Sequence, residues 1–118
     1  MNIEELRAYC LNKKGVTEEF PFDELTLVFK VLGKMFVLSG LDHHPPKINL
    51  KCDPEKAIEL REAYDGVIYG GYHMSKKHWN TVEISSLPAQ FIIELIDHSY
   101  DLVVAKMPVK LRNTLKEL

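Results

Sequence analysis

Apolar positions near the start of the chain recur at helical spacing. Ile3, Leu6, Cys10 and Leu11 fall on one side of an amphipathic helix predicted over residues 2–13, with Glu4, Glu5 and Lys13 outside. Asn2 is placed to cap it, the two glutamates suit the positive end of its dipole, and Gly15 offers a left-handed stop. The next stretch, VTEEFPFD, reads as a connector in which Pro21 opposes helix and Phe20 and Phe22 anchor the chain to the core. A period of two then takes over. Leu25, Leu27, Phe29 and Val31 alternate with Thr26, Val28 and Lys30, Gly33 supplies a turn, and Met35–Leu38 runs back as the second arm of a hairpin. After the loop DHHPP, the segment KINLKC alternates cleanly. Ile48, Leu50 and Cys52 face one way and Lys47, Asn49 and Lys51 the other, so one face is core and the other polar and basic.

Asp53 caps the following helix with Pro54 in its first position, an arrangement both residues favour. Its predicted inner stripe is Ala57, Ile58, Arg61 and Tyr64, and Asp65-Gly66 ends it. An irregular region, VIYGGYHMSKKHW, precedes a strand at Asn80–Ile84. The last helical segment begins near Pro88, and Phe91, Ile92, Leu95, Ile96, Leu102 and Val103 give it a broad apolar stripe to set against a sheet. Pro108 breaks it, leaving a short second helix over residues 109–118. The βαβα rhythm of a doubly wound fold is missing. The fold class expected is α+β: a single domain over residues 1–118, with an antiparallel β-sheet and hairpin wings packed against N-terminal and C-terminal helices.

Length and composition agree with one globular core, at 118 residues with 46% hydrophobic and 27% charged positions. The formal charge of −2 argues against wholesale attraction to nucleic acid or an anionic membrane, though not against a local basic face. No apolar run approaches the roughly 20 residues of a membrane span, and MNIEELRAYC lacks the basic start of a secretory signal. A cytoplasmic location is therefore expected, with Cys10 and Cys52 as buried free thiols.

Four blocks carry a family likeness: FPFDELTLVFKVLGKMFVL at 20–38, INLKCDPE at 48–55, GYHMSKKHWNTVEI at 71–84 and LIDHSYDLVV at 95–104. With the segments between them they resemble the MmcQ/YjbR family along nearly the whole chain. The resemblance implies a small α+β fold, likened both to a frataxin-type arrangement and to a "double wing" DNA-binding domain. Members of the family are commonly labelled as DNA-binding on that structural likeness, and one namesake belongs to a mitomycin-resistance gene cluster.

The residues themselves offer two basic constellations. His73, Lys76, Lys77, His78, Trp79 and Asn80 combine cations, an aromatic platform and an amide. Lysines neutralise phosphate, an indole or imidazole stacks on a base, and an amide in a groove reads adenine. The plainer reading makes Trp79 a core anchor at a strand start and leaves Lys76 and Lys77 solvated on a turn. Lys47, Asn49 and Lys51 form a second face, which Lys30 and Lys34 extend if their strands are neighbours; the plainer reading is the solvated side of an antiparallel sheet. Lys106, Lys110, Arg112 and Lys116 give the chain a basic end opposite its acidic start.

Other chemistry is poorly represented. The histidines at 43, 44, 73, 78 and 98 lack ligand spacing, so no metal or cofactor is expected. His98, Ser99 and Asp101 are close in sequence but point apart on a helix, and Ser99, Tyr100 and Asp101 read instead as hydrogen-bonded ties between the last helix and the sheet. Gly70-Gly71 reads as a flexible turn, not a phosphate loop. The leading expectation is a monomeric, non-enzymatic protein that contacts DNA mainly through phosphate. The alternative is a small-molecule binder using Tyr69, Tyr72, His73, Met74 and Trp79, or a protein-interaction adaptor. A concave apolar cavity favours the small ligand, a flat basic surface favours nucleic acid, and an exposed apolar patch favours the adaptor.

Overall fold

In the computed structural model, which describes residues 1–71 and 74–118, Asn2 caps helix α1 (Ile3–Leu11) through a reciprocal box with Glu5. Four strands follow: β1 (Val16–Glu19), β2 (Thr26–Val31), β3 (Lys34–Gly40) and β4 (Lys47–Lys51). Helix α2 (Pro54–Ala63) leads to β5 (Ile68–Gly70) and β6 (Trp79–Glu83), and helices α3 (Ala89–Ala105) and α4 (Val109–Lys116) close the chain. The strands form one antiparallel sheet in the order β1-β2-β3-β4-β6-β5. This is the α+β architecture expected. Tyr72 and His73, both in the candidate ligand region, lie outside the described residues.

The β2–β3 hairpin turns on Leu32 and Gly33, with φ of 46° and 83°. Two successive left-handed residues are what a two-residue turn needs to match the twist of its strands, and glycine meets that need without strain. Within the same hairpin the register slips between Phe29 and Lys30. The bulge sends both Phe36 and Val37 into the main core, which strict alternation along β3 would not allow.

That core lies between one face of the sheet and the helices. Phe29, Phe36 and Ile48 from the strands meet Leu6, Ile92 and Ile96 from α1 and α3, all essentially inaccessible. Polar ties hold the helix layer down. Ser99 Oγ donates to the Phe36 carbonyl at 2.6 Å and accepts the Lys51 N–H at 2.9 Å. Tyr9 donates to Asp97 at 2.6 Å, Lys13 pairs with the same carboxylate at 2.6 Å, and the Tyr100 hydroxyl donates to the Lys14 carbonyl at 2.7 Å. Burial, with the Asp97 bond second, pushes the Tyr9 phenol up to about 12. Of the three residues expected to tie α3 to the sheet, Ser99 does so; Tyr100 bonds instead to the turn between α1 and β1, and Asp101 is exposed and makes no side-chain hydrogen bond among the described residues.

Several local expectations need correction. VTEEFPFD is not only a connector, since Val16–Glu19 forms edge strand β1, whose polar composition hides its period. Phe20 and Phe22 do not anchor the core: they are 50% and 63% exposed on the β1–β2 connection. Leu25 precedes β2 and is exposed, whereas Val28, assigned to the polar side, is fully buried on the opposite face of the sheet. Ile58 lies on the solvent side of α2, and Leu60 takes the place expected for it against the core. Strand β5 was concealed in the irregular stretch by its brevity and glycine. Both cysteines are buried free thiols.

A cleft on the uncovered face of the sheet

The helices contribute to the main core, whereas the second apolar cluster consists, among the described residues, of strand and loop residues. In it Val28, Leu38 and Trp79 are buried against Met35 and Met74. Strand register explains how they meet. Glu19, Val28, Leu38, Asn49, Thr81 and Tyr69 are successive cross-strand partners from β1 to β5, so their side chains form one row across this face. A neighbouring row carries Thr17, Lys30 and Met35, and further across the sheet Lys51 opposite Trp79.

Beside this cluster the face is hollowed into a cleft of about 940 Å³. Leu38, Asn49, Thr81 and Tyr69 contribute from the central row. Phe22, Asp42 and His43 come from the β1–β2 and β3–β4 connections, and Gly70, Gly71, Met74 and Lys76 from β5 and the segment after it. Close approach favours glycine at both positions, more firmly at Gly71, whose neighbours include the Trp79 backbone, than at Gly70, which faces a flexible lysine stem. A Cβ at Gly71 would lie 3.0 Å from the Trp79 Cβ, and one at Gly70 would lie 3.1 Å from the Lys76 stem. Gly70-Gly71 is therefore a tight wall of the cleft and not merely a flexible turn; Gly70 itself is in β5.

The cleft combines apolar surface with a few placed polar groups. Thr81 Oγ1 donates to Asn49 Oδ1 at 2.5 Å, leaving the Asn49 amide N–H group as a donor. The Lys47 ammonium stands 5.7 Å from the Tyr69 ring centre, and the Tyr69 hydroxyl pushes its pKa up, so Lys47 stays cationic. His43 lies over Gly40, 3.9 Å from Asp42. The hydroxyl on the floor is bonded to an amide, which is no base, and so is not activated as a nucleophile.

The predicted site residues divide between these surroundings. Lys30, Lys47 and Lys51 share the uncovered face, as expected, but Lys30 pairs with Glu19 at 3.4 Å and Lys51 leans over Trp79 with its ammonium 6.0 Å from the ring centre. Lys34 is exposed at the hairpin turn, and Lys76 and Lys77 are exposed in the β5–β6 connection. Trp79 is the strand-start anchor, 8% exposed, and presents no open stacking platform. Asn80 is turned to the helix side and 2% exposed. Its side chain accepts from Arg61 Nε at 2.7 Å and donates to the Ala57 carbonyl at 3.4 Å, so it cannot read a base. His78 is half-buried, and its carbonyl accepts the Cys52 N–H. Of the alternative ligand set, Tyr69 and Met74 line the cleft, Trp79 supports its floor, and Tyr72 and His73 are outside the described residues. Phe22, Leu38, His43 and Thr81 were missed, because each joins the cleft through register or a loop and not through a local motif.

Comparison with known proteins places this architecture. A family model described as YjbR matches residues 11–102. The chain belongs to the YjbR family. The YjbR protein of Escherichia coli K12 is 34% identical, with both chains covered in full. YbdF of Escherichia coli O157:H7 is 42% identical over 77% of this chain and 80% of its own. Among solved structures, the DUF419 domain of the Deinococcus radiodurans protein DR2400 superimposes with a TM-score of 0.91 at 40% identity, covering 98% of this chain and 88% of the other. A Pseudomonas syringae protein gives 0.73 at 29% identity, covering 86% and 98%. Membership of the YjbR family fixes the fold.

Proposed function

We propose that this YjbR-family protein is a non-enzymatic binder of a small, partly aromatic molecule bearing an acidic group, held in the cleft on the uncovered face of its sheet. The observation that carries this reading is Phe22, a large aromatic side chain 63% exposed yet lining a cleft of about 940 Å³. A ligand there covers Phe22, Leu38 and Met74 and meets the Lys47 and Lys76 ammonium groups and the Asn49 amide. Concave apolar walls with a few convergent polar groups are the usual form of a small-ligand site.

Nucleic-acid binding has weaker support, since Trp79 and Asn80 are committed to the fold. Its remaining support is the exposed Lys76-Lys77 pair, neither of which has a carboxylate partner among the described residues. A contact there would be to phosphate and would weaken as salt rises.

One titration separates the readings. The probe is 1-anilinonaphthalene-8-sulfonate, an aromatic anion, and the competitor is a mixed-sequence DNA duplex at about 50 and 200 mM salt. Saturable probe binding, weakened about tenfold by Phe22→Ala and also weakened by Lys47→Ala, is the expected result; tenfold corresponds to about 1.4 kcal/mol, well within the burial of one aromatic side chain. Absence of saturable probe binding, with salt-sensitive duplex binding lost in Lys76→Ala/Lys77→Ala, would overturn the proposal in favour of nucleic acid.

A further inference from the structure

A second recess lies where the β2–β3 turn, the end of β4 and the α3–α4 junction meet. It measures about 470 Å³, and Lys34, Lys51 and Lys106 all line it, with Trp79, Met35 and Met107 among the remaining walls. The three lysines come from three separate elements, so no sequence motif announces them. Among the described residues none has a carboxylate within 4.0 Å, whereas Lys13 and Lys30 each do. Burial first, and after it the charge of Lys106, pushes the Lys51 pKa down.

The recess also reaches Pro108, the N-cap of α4. That helix has no side-chain cap and no acidic residue in its first turn, so its opening N–H groups add positive potential to the same region. Like charges brought together by a fold cost free energy, and the cost is offset when an anion joins them. Three lysines around one small hollow suit a compact dianion, since lysine acts on phosphate as a point charge with rotatable donors. A single hollow suits one head group better than the succession of phosphates along a strand. The apolar walls from Met35 and Met107 leave room for an organic substituent.

We propose that the Lys34–Lys51–Lys106 recess is an oxyanion site that takes the phosphate group of a small metabolite-sized molecule, separately from the cleft around Phe22. Trp79 is the only tryptophan in the chain and lines the recess, so its fluorescence serves as a built-in reporter. Inorganic phosphate is titrated against the full chain at constant ionic strength set with chloride, and the thermal midpoint is measured in parallel. A saturable fluorescence change, with a raised midpoint, is expected. Lys106→Gln should weaken phosphate at least tenfold, Lys34→Gln/Lys106→Gln should weaken it further, and Lys116→Gln, on a different surface, should leave it unchanged. All three lysines substituted are exposed, and far-ultraviolet circular dichroism checks that the variants fold. Phenyl phosphate distinguishes the sources of the head group: tighter binding than inorganic phosphate indicates a phosphomonoester, and equal binding indicates free phosphate. The proposal is overturned if neither readout responds to phosphate, if the lysine variants bind as the parent does, or if an oligonucleotide without terminal phosphate displaces phosphate at lower concentration than phenyl phosphate does.

Discussion

On the helix-covered face of the sheet, Phe29, Phe36 and Ile48 are sealed under α1 and α3, and most polar groups there are bonded to one another. Ser99 joins the Phe36 carbonyl to the Lys51 amide, and Asn80 joins Arg61 to the Ala57 carbonyl. On the opposite face the buried cluster among the described residues is Val28, Leu38 and Trp79, and around it stand an aromatic ring, amide, hydroxyl and ammonium groups facing open clefts. Groups whose hydrogen-bonding capacity is used up in the fold have little left for a ligand. The face without helices is thus where binding is to be sought.

The largest expected effect comes from breaking the covered face. Phe36→Ala removes a fully buried ring that packs edge-on to Tyr100 at 5.4 Å, and should cost about 3–5 kcal/mol in urea unfolding. Two serines on the covered side then sharpen the rule that satisfaction, and not burial alone, decides a polar group's worth. Ser99→Ala leaves a carbonyl and an amide without their partner and should cost about 1–3 kcal/mol. Ser39 Oγ is buried without a partner among the described residues, so Ser39→Ala should be neutral or stabilising by the same measurement. If the two serines behaved alike, the contrast between satisfied and spare groups would fail.

A pH series tests the joint between α2 and α3. The Asp53 N–H donates to His98 Nε2 at 3.2 Å, and burial, with the Lys56 charge second, holds the His98 pKa below 6.5. The unfolded chain takes up that proton first, so this stability is complete above about 6.5 and declines as pH falls through the folded-state value. His98→Gln should flatten the unfolding midpoint between neutral and mildly acidic pH. The smallest change in stability is expected on the uncovered face. Phe22→Ala should stay within about 0.5 kcal/mol of the parent, because the ring is exposed, while altering ligand affinity as described above. Thiol reactivity marks the same divide: burial pushes Cys10 up to about 12, and an aromatic disulfide reagent should modify it only when the chain unfolds.

What the amino-acid sequence determined by itself was local. Asn2 with Glu5, Asp53 with Pro54, and Pro108 mark helix ends because a cap or a breaker acts within one turn. The alternation of Lys47–Lys51 declares a strand because side-chain direction follows from backbone geometry alone. The order of elements and the blocks quoted above sufficed for the α+β class and the YjbR family. The tertiary structure decided which neighbours each face would have. Trp79 and Asn80 adjoin in sequence, yet one supports the ligand face and the other locks α2 to β6, because successive strand residues point to opposite sides and only packing says which side is covered. Strands β1 and β5 lack a readable period, since an edge strand buries too little to demand one. The cleft draws on residues from Phe22 to Thr81, and the basic recess on residues from Gly33 to Pro108. Strand order and register bring those positions together, and neither is encoded within the span of any one motif.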